Sequence, residues 1–170
     1  KSTYPQHWLD NIELMSRYSP QSILDVGCGC GAFYEVCKKE FPEMNYFGID
    51  YATEAIDLAI STWGNSFKVL DYKNLTKELL QQYDLVYLSA LLDVLPNANE
   101  AFKFILSLDA PQLLISRVKL SNDPNGYEQY QVYDNITTYA YHHNRIEFFN
   151  TIKSYGYSVE GKNNNFYLSK

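Results

Sequence analysis

Short apolar runs alternate along this chain with stretches whose apolar positions recur every three to four residues. The first recurrence spans residues 5–18 and places Trp8, Ile12 and Met15 on one face of a predicted helix. Residues 22–26 (SILDV) predict a strand that runs into a glycine turn and then a helix to about Glu40, which Pro42 confirms has ended. Residues 45–50 (NYFGID) predict a second strand, and Thr53 is the expected N-cap of a helix carrying Ile56, Leu58, Ala59 and Ile60. A short third strand is expected at 66–70 (SFKVL), with a helix around 75–82. Residues 84–89 (DLVYLS) are almost continuously apolar, as in a strand buried on both faces. A helix over about 97–108 leads to a fifth strand at 111–118 (PQLLISRV). Strands alternating with helices in this way predict an α/β domain built on a mostly parallel sheet.

The alternation then breaks. Residues 121–141 are polar and rich in tyrosine, with a strong turn signal at Asp123-Pro124-Asn125-Gly126. A helix near 145–155 stops at Gly156, the expected C-cap. Residues 157–170 read as an antiparallel hairpin with Gly161 and the run Asn163 to Asn165 at its loop. No repeat or linker divides the chain, so residues 1–170 are expected to form one domain, with an N-terminal helix in 1–20 and an insertion at 120–143.

A chain of 170 residues with 46% hydrophobic content can build a proper core. No apolar run approaches the roughly 20 residues needed to span a bilayer, so no membrane partner is expected. The first ten residues lack a signal peptide's apolar stretch and an initiator Met, which reads as a trimmed end of a cytoplasmic protein. Cys28, Cys30 and Cys37 are odd in number and clustered, a poor disulfide framework that points to a reducing compartment. A net charge of −6 argues against a wide electrostatic footprint on nucleic acid, and no nucleic-acid partner is expected. The 16 tyrosines thicken toward the end of the chain and suit packing and interface surface more than stacking on a ligand.

Chemistry concentrates in Leu24-Asp25-Val26-Gly27-Cys28-Gly29-Cys30-Gly31, a strand entering a Gly-x-Gly-x-Gly turn and then a helix. Glycines permit positive φ and let a ligand press on bare backbone, and a helix N-terminus offers N–H groups to a carboxylate or phosphate. Gly27, Gly29 and Ala32 also satisfy the dinucleotide fingerprint. Asp50, at the end of the second strand, suits the two hydroxyls of a ribose under either cofactor, or caps the helix that follows. Three features favour an amino-acid-bearing cofactor over a dinucleotide. Asp25 would repel a pyrophosphate but suits an ammonium. Asp71, after the third strand, can accept a hydrogen bond from an adenine amino group. The terminal hairpin leaves no room for the second half of a dinucleotide fold.

With these motifs the chain resembles the class I S-adenosylmethionine-dependent methyltransferases over residues 22–170. The resemblance rests on LDVGCGCG, FGIDYA, VLDY, YDLVYLSALLDVLP and the closing helix, GY and hairpin. It implies a three-layer Rossmann-like fold with a seven-stranded sheet in the order 3-2-1-4-5-7-6, strand seven antiparallel. It also implies S-adenosylmethionine as cofactor: Gly27, Cys28 and Gly29 along its methionine part by backbone, with Asp25 behind them; Asp50 on the ribose; Tyr51 beside the adenine; Asp71 and Tyr72 at the adenine edge; Ser89 and Ala90 as the floor. The chain departs from the family after strand four, where Leu91-Leu92-Asp93-Val94-Leu95-Pro96 stands in place of histidines or aromatics. It also lacks the Asn-Pro-Pro-Tyr signature of amino methylation on DNA bases. Residues 135–157 are similar to uncharacterised methyltransferases of surface-polysaccharide clusters.

The expected reaction is methyl transfer to a small-molecule acceptor, an oxygen of a sugar or similar metabolite for preference, with a base required only for a hydroxyl. The insertion at 120–143 is expected to lie on the acceptor side and cover the acceptor pocket beside Asp93, and its His142 and His143 are candidates for that base, or else a surface or capping pair. Asp93 is a third, or else a loop cap. No metal is expected, because Cys28 and Cys30 in a tight turn lack further ligands. The rival readings are an NAD(P)-dependent oxidoreductase and a non-catalytic scaffold of the same fold.

Overall fold

The computed structural model describes residues 4–132 and 135–170; the first three residues of the expected N-terminal segment, and Tyr133 and Asp134 of the expected insertion, lie outside them. Five parallel strands form the centre: β1 (Ser22–Val26), β2 (Asn45–Asp50), β3 (Phe67–Val69), β4 (Leu85–Ser89) and β5 (Gln112–Ser116). The terminal hairpin, β9 (Ser158–Lys162) and β10 (Asn165–Ser169), adds two strands on the β5 side. The resulting order is β3-β2-β1-β4-β5-β10-β9, with β10 antiparallel to β5. This is the 3-2-1-4-5-7-6 arrangement, and it differs from the all-parallel dinucleotide order.

Alternation of side chains across the strands divides the interior into two layers. Leu24, Val26, Val86, Leu88, Leu113, Ile115, Phe166 and Leu168 face one side. There they pack on α4 (Lys77–Leu80), α5 (Ala98–Ser107) and α6 (Arg145–Ser154). Ile23, Leu85, Tyr87, Leu114 and Tyr167 face the other. There they meet α1 (Gln6–Tyr18), α2 (Ala32–Glu40) and α3 (Thr53–Trp63). Both faces are covered, which explains why the central strands are apolar at nearly every position.

Three local expectations are corrected. Thr53 is the first residue of α3 and Ala52 its N-cap, because the Asp50 carboxylate already accepts the Ala52 N–H at 2.9 Å. The helix expected at 75–82 shortens to α4, preceded by a 3-10 turn at Tyr72–Asn74, with Thr76 capping the Leu79 N–H. The segment expected as a polar break is mostly strand: β6 (Leu120–Ser121), β7 (Gly126–Val132) and β8 (Ile136–Asn144) form a second sheet in the order β6-β8-β7. Its β7–β8 ribbon is solvated along much of its length, so its strands carry polar side chains where an apolar alternation would be looked for.

A buried polar seam joins α1 to the sheet. Asn11 donates to the Tyr87 hydroxyl (2.8 Å) and Ser116 Oγ (3.0 Å), and Ser116 Oγ donates to Asn165 Oδ1 (2.6 Å). Asn165 also accepts from the Arg117 N–H (3.1 Å) and donates to Asp10 Oδ2 (3.2 Å). Asn11 and Asn165 are fully buried. Replacing Asn165 by Ala strips partners from several buried groups at once, and each orphaned group costs about 1–3 kcal/mol. Asn165→Ala should therefore lower the unfolding free energy by about 2 kcal/mol or more, read as a shifted urea midpoint; an unchanged midpoint would show that the seam contributes nothing.

Candidate functional site

Parallel strands leave their C-terminal ends along one edge of the sheet, where the turns after β1, β2, β3 and β4 converge. A cavity of about 540 Å³ opens there, within the range of small-molecule sites. Gly27, Asp50, Tyr51, Asp71, Tyr72 and Ala90 line it, so six of the ten residues expected at a cofactor are gathered on one wall. Leu91, Val94, Leu95 and Pro96 add an apolar wall, and Thr137, Thr138 and Tyr139 of β8 close the far side. The β8 residues belong to the 120–143 insertion expected over the acceptor side, whereas the apolar wall after β4 was not assigned to the site from the sequence. The apolar run without a helical period after β4 was the signal available for it.

Asp50 organises the site. Its Oδ2 accepts the Gly29 N–H at 2.9 Å while its Oδ1 accepts the Ala52 N–H at 2.9 Å. One carboxylate thereby locks the glycine turn to the end of β2 and the start of α3. The Gly27 and Cys28 N–H groups donate to the Ile49 carbonyl at 2.8 and 3.0 Å, completing the clamp. Gly27, Gly29 and Gly31 all have positive φ, and a Cβ on Gly29 would meet nothing within 4 Å. At Gly29 the turn thus leaves bare backbone facing open space, the cradle a ligand needs, whereas Gly31 is packed against Phe67. Cys28 is half-buried in this turn, and burial pushes its thiol pKa up, which leaves its backbone rather than a thiolate at the site.

Asp71 caps the 3-10 turn through Oδ1, which accepts the Lys73 N–H at 2.9 Å, and so holds its carboxyl at the cavity wall beside Tyr72. Ala90, with φ of 52°, starts the turn after β4, and its N–H donates to the Ser116 carbonyl at 3.1 Å. Ser89 ends β4 next to Ala90 without itself lining the cavity. Asp25 lies behind the turn, 2% exposed, and is also outside the cavity wall. Its Oδ2 accepts the Tyr46 hydroxyl at 2.5 Å, and its buried Oδ1 has no donor. Burial raises the carboxyl to about 7.

The histidine pair does not reach the cavity. His143 is 1% exposed, packed among Phe102, Tyr141 and Phe148, with Nε2 3.1 Å from the Leu92 carbonyl. Burial lowers its pKa to about 4, so it is neutral at physiological pH. The His142 Nε2 lies 2.9 Å from the Pro124 carbonyl, at the start of the ribbon. Both therefore serve the ribbon's attachment. Asp93 does not line the cavity either, but the next residue, Val94, does, and the Asp93 Oδ1 is buried without a donor. Burial raises its pKa against the opposing pull of Arg117 and Lys119.

The residues fit an adenosine bearing an amino-acid tail: bare backbone at Gly27 and Gly29, an acceptor carboxylate at Asp50, a second at Asp71 and an aromatic ring at Tyr72. No group of His, Cys, Asp and Glu among the described residues could hold a metal ion. No helix among them is long and apolar enough to cross a membrane.

A family model described as "Methyltransferase domain" matches residues 1–152. Malonyl-[acyl-carrier protein] O-methyltransferase of Halalkalibacterium halodurans is 25% identical over 140 residues, covering 79% of this chain and 47% of that protein. The chain spans less than half the length of the curated relatives it matches. Among solved structures, the plantazolicin methyltransferase BpumL in complex with SAH (S-adenosylhomocysteine) is 25% identical, with a TM-score of 0.54 over 66% of this chain and 47% of that one. The N-terminal domain of EvdMO1, solved in the presence of SAH and D-fucose, has a TM-score of 0.68 over 99% of this chain and 83% of that one. At 13% identity this second likeness is one of fold.

The buried Asp25 carboxyl has a consequence for stability. Its folded pKa is raised from the ordinary value of 3.8 to about 7, so the folded state holds this proton more tightly than the unfolded chain. That contribution is complete below about pH 4 and is lost as pH rises through about 7. Asp25→Asn should flatten the pH dependence of stability between about pH 4 and 7, measured by denaturant unfolding across that window; parallel wild-type and variant profiles would refute it.

Proposed function

The chain belongs to the methyltransferase domain family, and on that premise we propose that it transfers a methyl group from S-adenosylmethionine to an oxygen of a small acceptor, a sugar or similar metabolite. The observation that carries this reading is the Asp50 carboxylate, which lines the cavity and at the same time locks the open backbone at Gly29. When bound, the cofactor supplies a methyl group on a positively charged sulfur, which an acceptor lone pair displaces in line. Each carboxylate oxygen has about two acceptor positions, so Asp50 can receive ribose hydroxyls while keeping its bonds to Gly29 and Ala52. Gly27 and Gly29 offer backbone to the amino-acid tail, and the buried Asp25 carboxyl lies behind them. Tyr51 and Tyr72 flank the adenine, with Asp71 at its edge. Ser89 positions Ala90, which forms the floor. Leu91, Val94, Leu95 and Pro96 exclude water beside it, and alignment of the nucleophile in a dry site accounts for most of the rate such a reaction needs.

For a hydroxyl acceptor, Asp93 is the base this arrangement favours over the two histidines. Asp93 does not itself line the cavity, but it adjoins Val94 of the apolar wall, its buried Oδ1 has no partner, and burial makes it more basic than an exposed carboxylate.

Calorimetric titration with S-adenosylmethionine, SAH and NAD(P) tests the reading. SAH should bind and NAD(P) should not. Asp50→Ala should weaken SAH binding by about 2 kcal/mol or more, because charge-assisted bonds to the ribose and the clamp on the turn disappear together. Unchanged affinity in a folded variant would remove the core of the proposal.

Gly29→Asn gives an independent check. Asparagine tolerates the left-handed conformation at φ of 55° better than any β-branched residue. Its side chain would enter only the open space above the turn. SAH affinity should be abolished with the melting temperature nearly unchanged; normal binding would mean that the ligand lies elsewhere.

A further inference from the structure

The strand order β1-β4-β5 sets three turns in a row along the C-terminal edge of the sheet. Gly27 follows β1, Ala90 follows β4 and Arg117 follows β5. Ser89 pairs with Ser116 across β4 and β5, so Arg117 lies one strand beyond Ala90, about 5 Å away at the backbone. The cavity reaches Ala90. Arg117 is therefore the next position outward, on the side away from Asp50.

Arg117 holds that place under strain. Its φ of 64° is left-handed, costly for a long side chain, and the buried Asn165 Oδ1 fixes it by accepting the Arg117 N–H at 3.1 Å. Val118, next along, is buried, whereas Arg117 and Lys119 on either side of it are exposed. Neither cation makes an ion pair among the described residues, although the chain carries 20 acidic side chains. On the facing helix, Asn11 contacts Ser116, and His7 lies one turn earlier on the same face of α1, level with Arg117. Burial and the Arg117 charge both keep His7 below the usual imidazole range, so it faces the arginine as a neutral donor or acceptor. Asp93 is the acidic group whose titration Arg117 and Lys119 both influence, and it is itself partly buried. A strained backbone that places an arginine without an ion pair one strand beyond the cavity residue Ala90, where its charge is felt by both His7 and Asp93, is a feature of binding sites.

We infer that Arg117, flanked by Lys119 and His7, binds an anionic group on the methyl acceptor, a carboxylate or a phosphate, and so restricts the enzyme to acidic small molecules. This rests on the methyltransferase reading and deepens it: an acidic sugar or similar acceptor would be held by its charge beyond Ala90, with its nucleophilic oxygen toward the cofactor. A net charge of −6 disfavours anions over the surface as a whole, so a local pair of exposed cations without ion pairs among the described residues decides where one can dock.

The test titrates citrate and inorganic phosphate, separately and at low ionic strength, into SAH-saturated protein. Fluorescence reports the binding through Trp8, whose ring lies 5.7 Å from that of His7. At least one anion should bind wild type, and Arg117→Gly should weaken it at least tenfold. Preference for citrate marks a carboxylate acceptor, and preference for phosphate a phosphorylated one. Glycine relieves the left-handed strain, so this variant should melt at the wild-type temperature or above, and its SAH affinity should be unchanged. Arg117→Lys should retain part of the anion affinity. SAH binding without any anion response, or an anion response undiminished in Arg117→Gly, overturns the assignment of Arg117 alone. A wild-type protein that binds no SAH overturns the methyltransferase reading and this inference with it.

Discussion

The carboxylate of Asp50 joins the glycine turn, 21 residues earlier in the chain, to the end of β2 and the start of the helix that follows it. By accepting the Gly29 and Ala52 N–H groups at once, it starts α3 without a side-chain cap from Thr53. The turn's remaining inward donors go to the Ile49 carbonyl, on the same strand. A loop of three left-handed glycines would otherwise be among the most mobile segments of the domain, because glycine loses more freedom on ordering than any other residue. Three hydrogen bonds from its N–H groups to one strand end, two to the Ile49 carbonyl and one to the Asp50 carboxylate, make it rigid. Rigidity with an open face is what a ligand requires of such a turn, since ordering done in advance is not charged against binding.

A comparable constraint acts at the other end of the row. The left-handed residues after β4 and β5, Ala90 and Arg117, are both held by groups of the central sheet: the Ser116 carbonyl for one and the Asn165 side chain for the other. The seam that supplies the second of these bonds also anchors α1 through Asn11 and Asp10. Folding of the N-terminal helix onto the sheet and shaping of the edge beyond Ala90 are thus one event. The strain stored at Ala90 and Arg117 is sustained by buried hydrogen bonds that neither residue could replace itself.

The ribbon between β5 and α6 is bound to this frame by its histidines. His143 fills a gap between Phe102 and Phe148, and His142 meets the Pro124 carbonyl. With the Tyr141 N–H on the Asp93 carbonyl at 2.8 Å, the ribbon is fixed to the loop after β4. Thr137, Thr138 and Tyr139 consequently stand over the same cavity as Asp50 and Asp71. The ribbon thus helps to enclose the cavity, with its histidines turned to the frame.

The sequence by itself determined the layered α/β architecture, because strands covered on both faces must be apolar throughout and helices covered on one face must be apolar periodically. Both periods were visible at β1, β4 and β5 and at α1 and α5. It also determined the glycine turn and Asp50, whose chemistry depends on local spacing within one strand–turn–helix unit. Tertiary structure alone decided the rest. Whether His142 and His143 met a ligand or the core depended on which residues from α5 and α6 lay beside them. The β7–β8 ribbon was hidden because a solvated strand needs no apolar face. Arg117 carried no local signal at all: its strain, its missing counter-ion and its place beside Ala90 arise from hydrogen bonds to Asn165, 48 residues away in the chain. Local propensity cannot encode a contact at that separation.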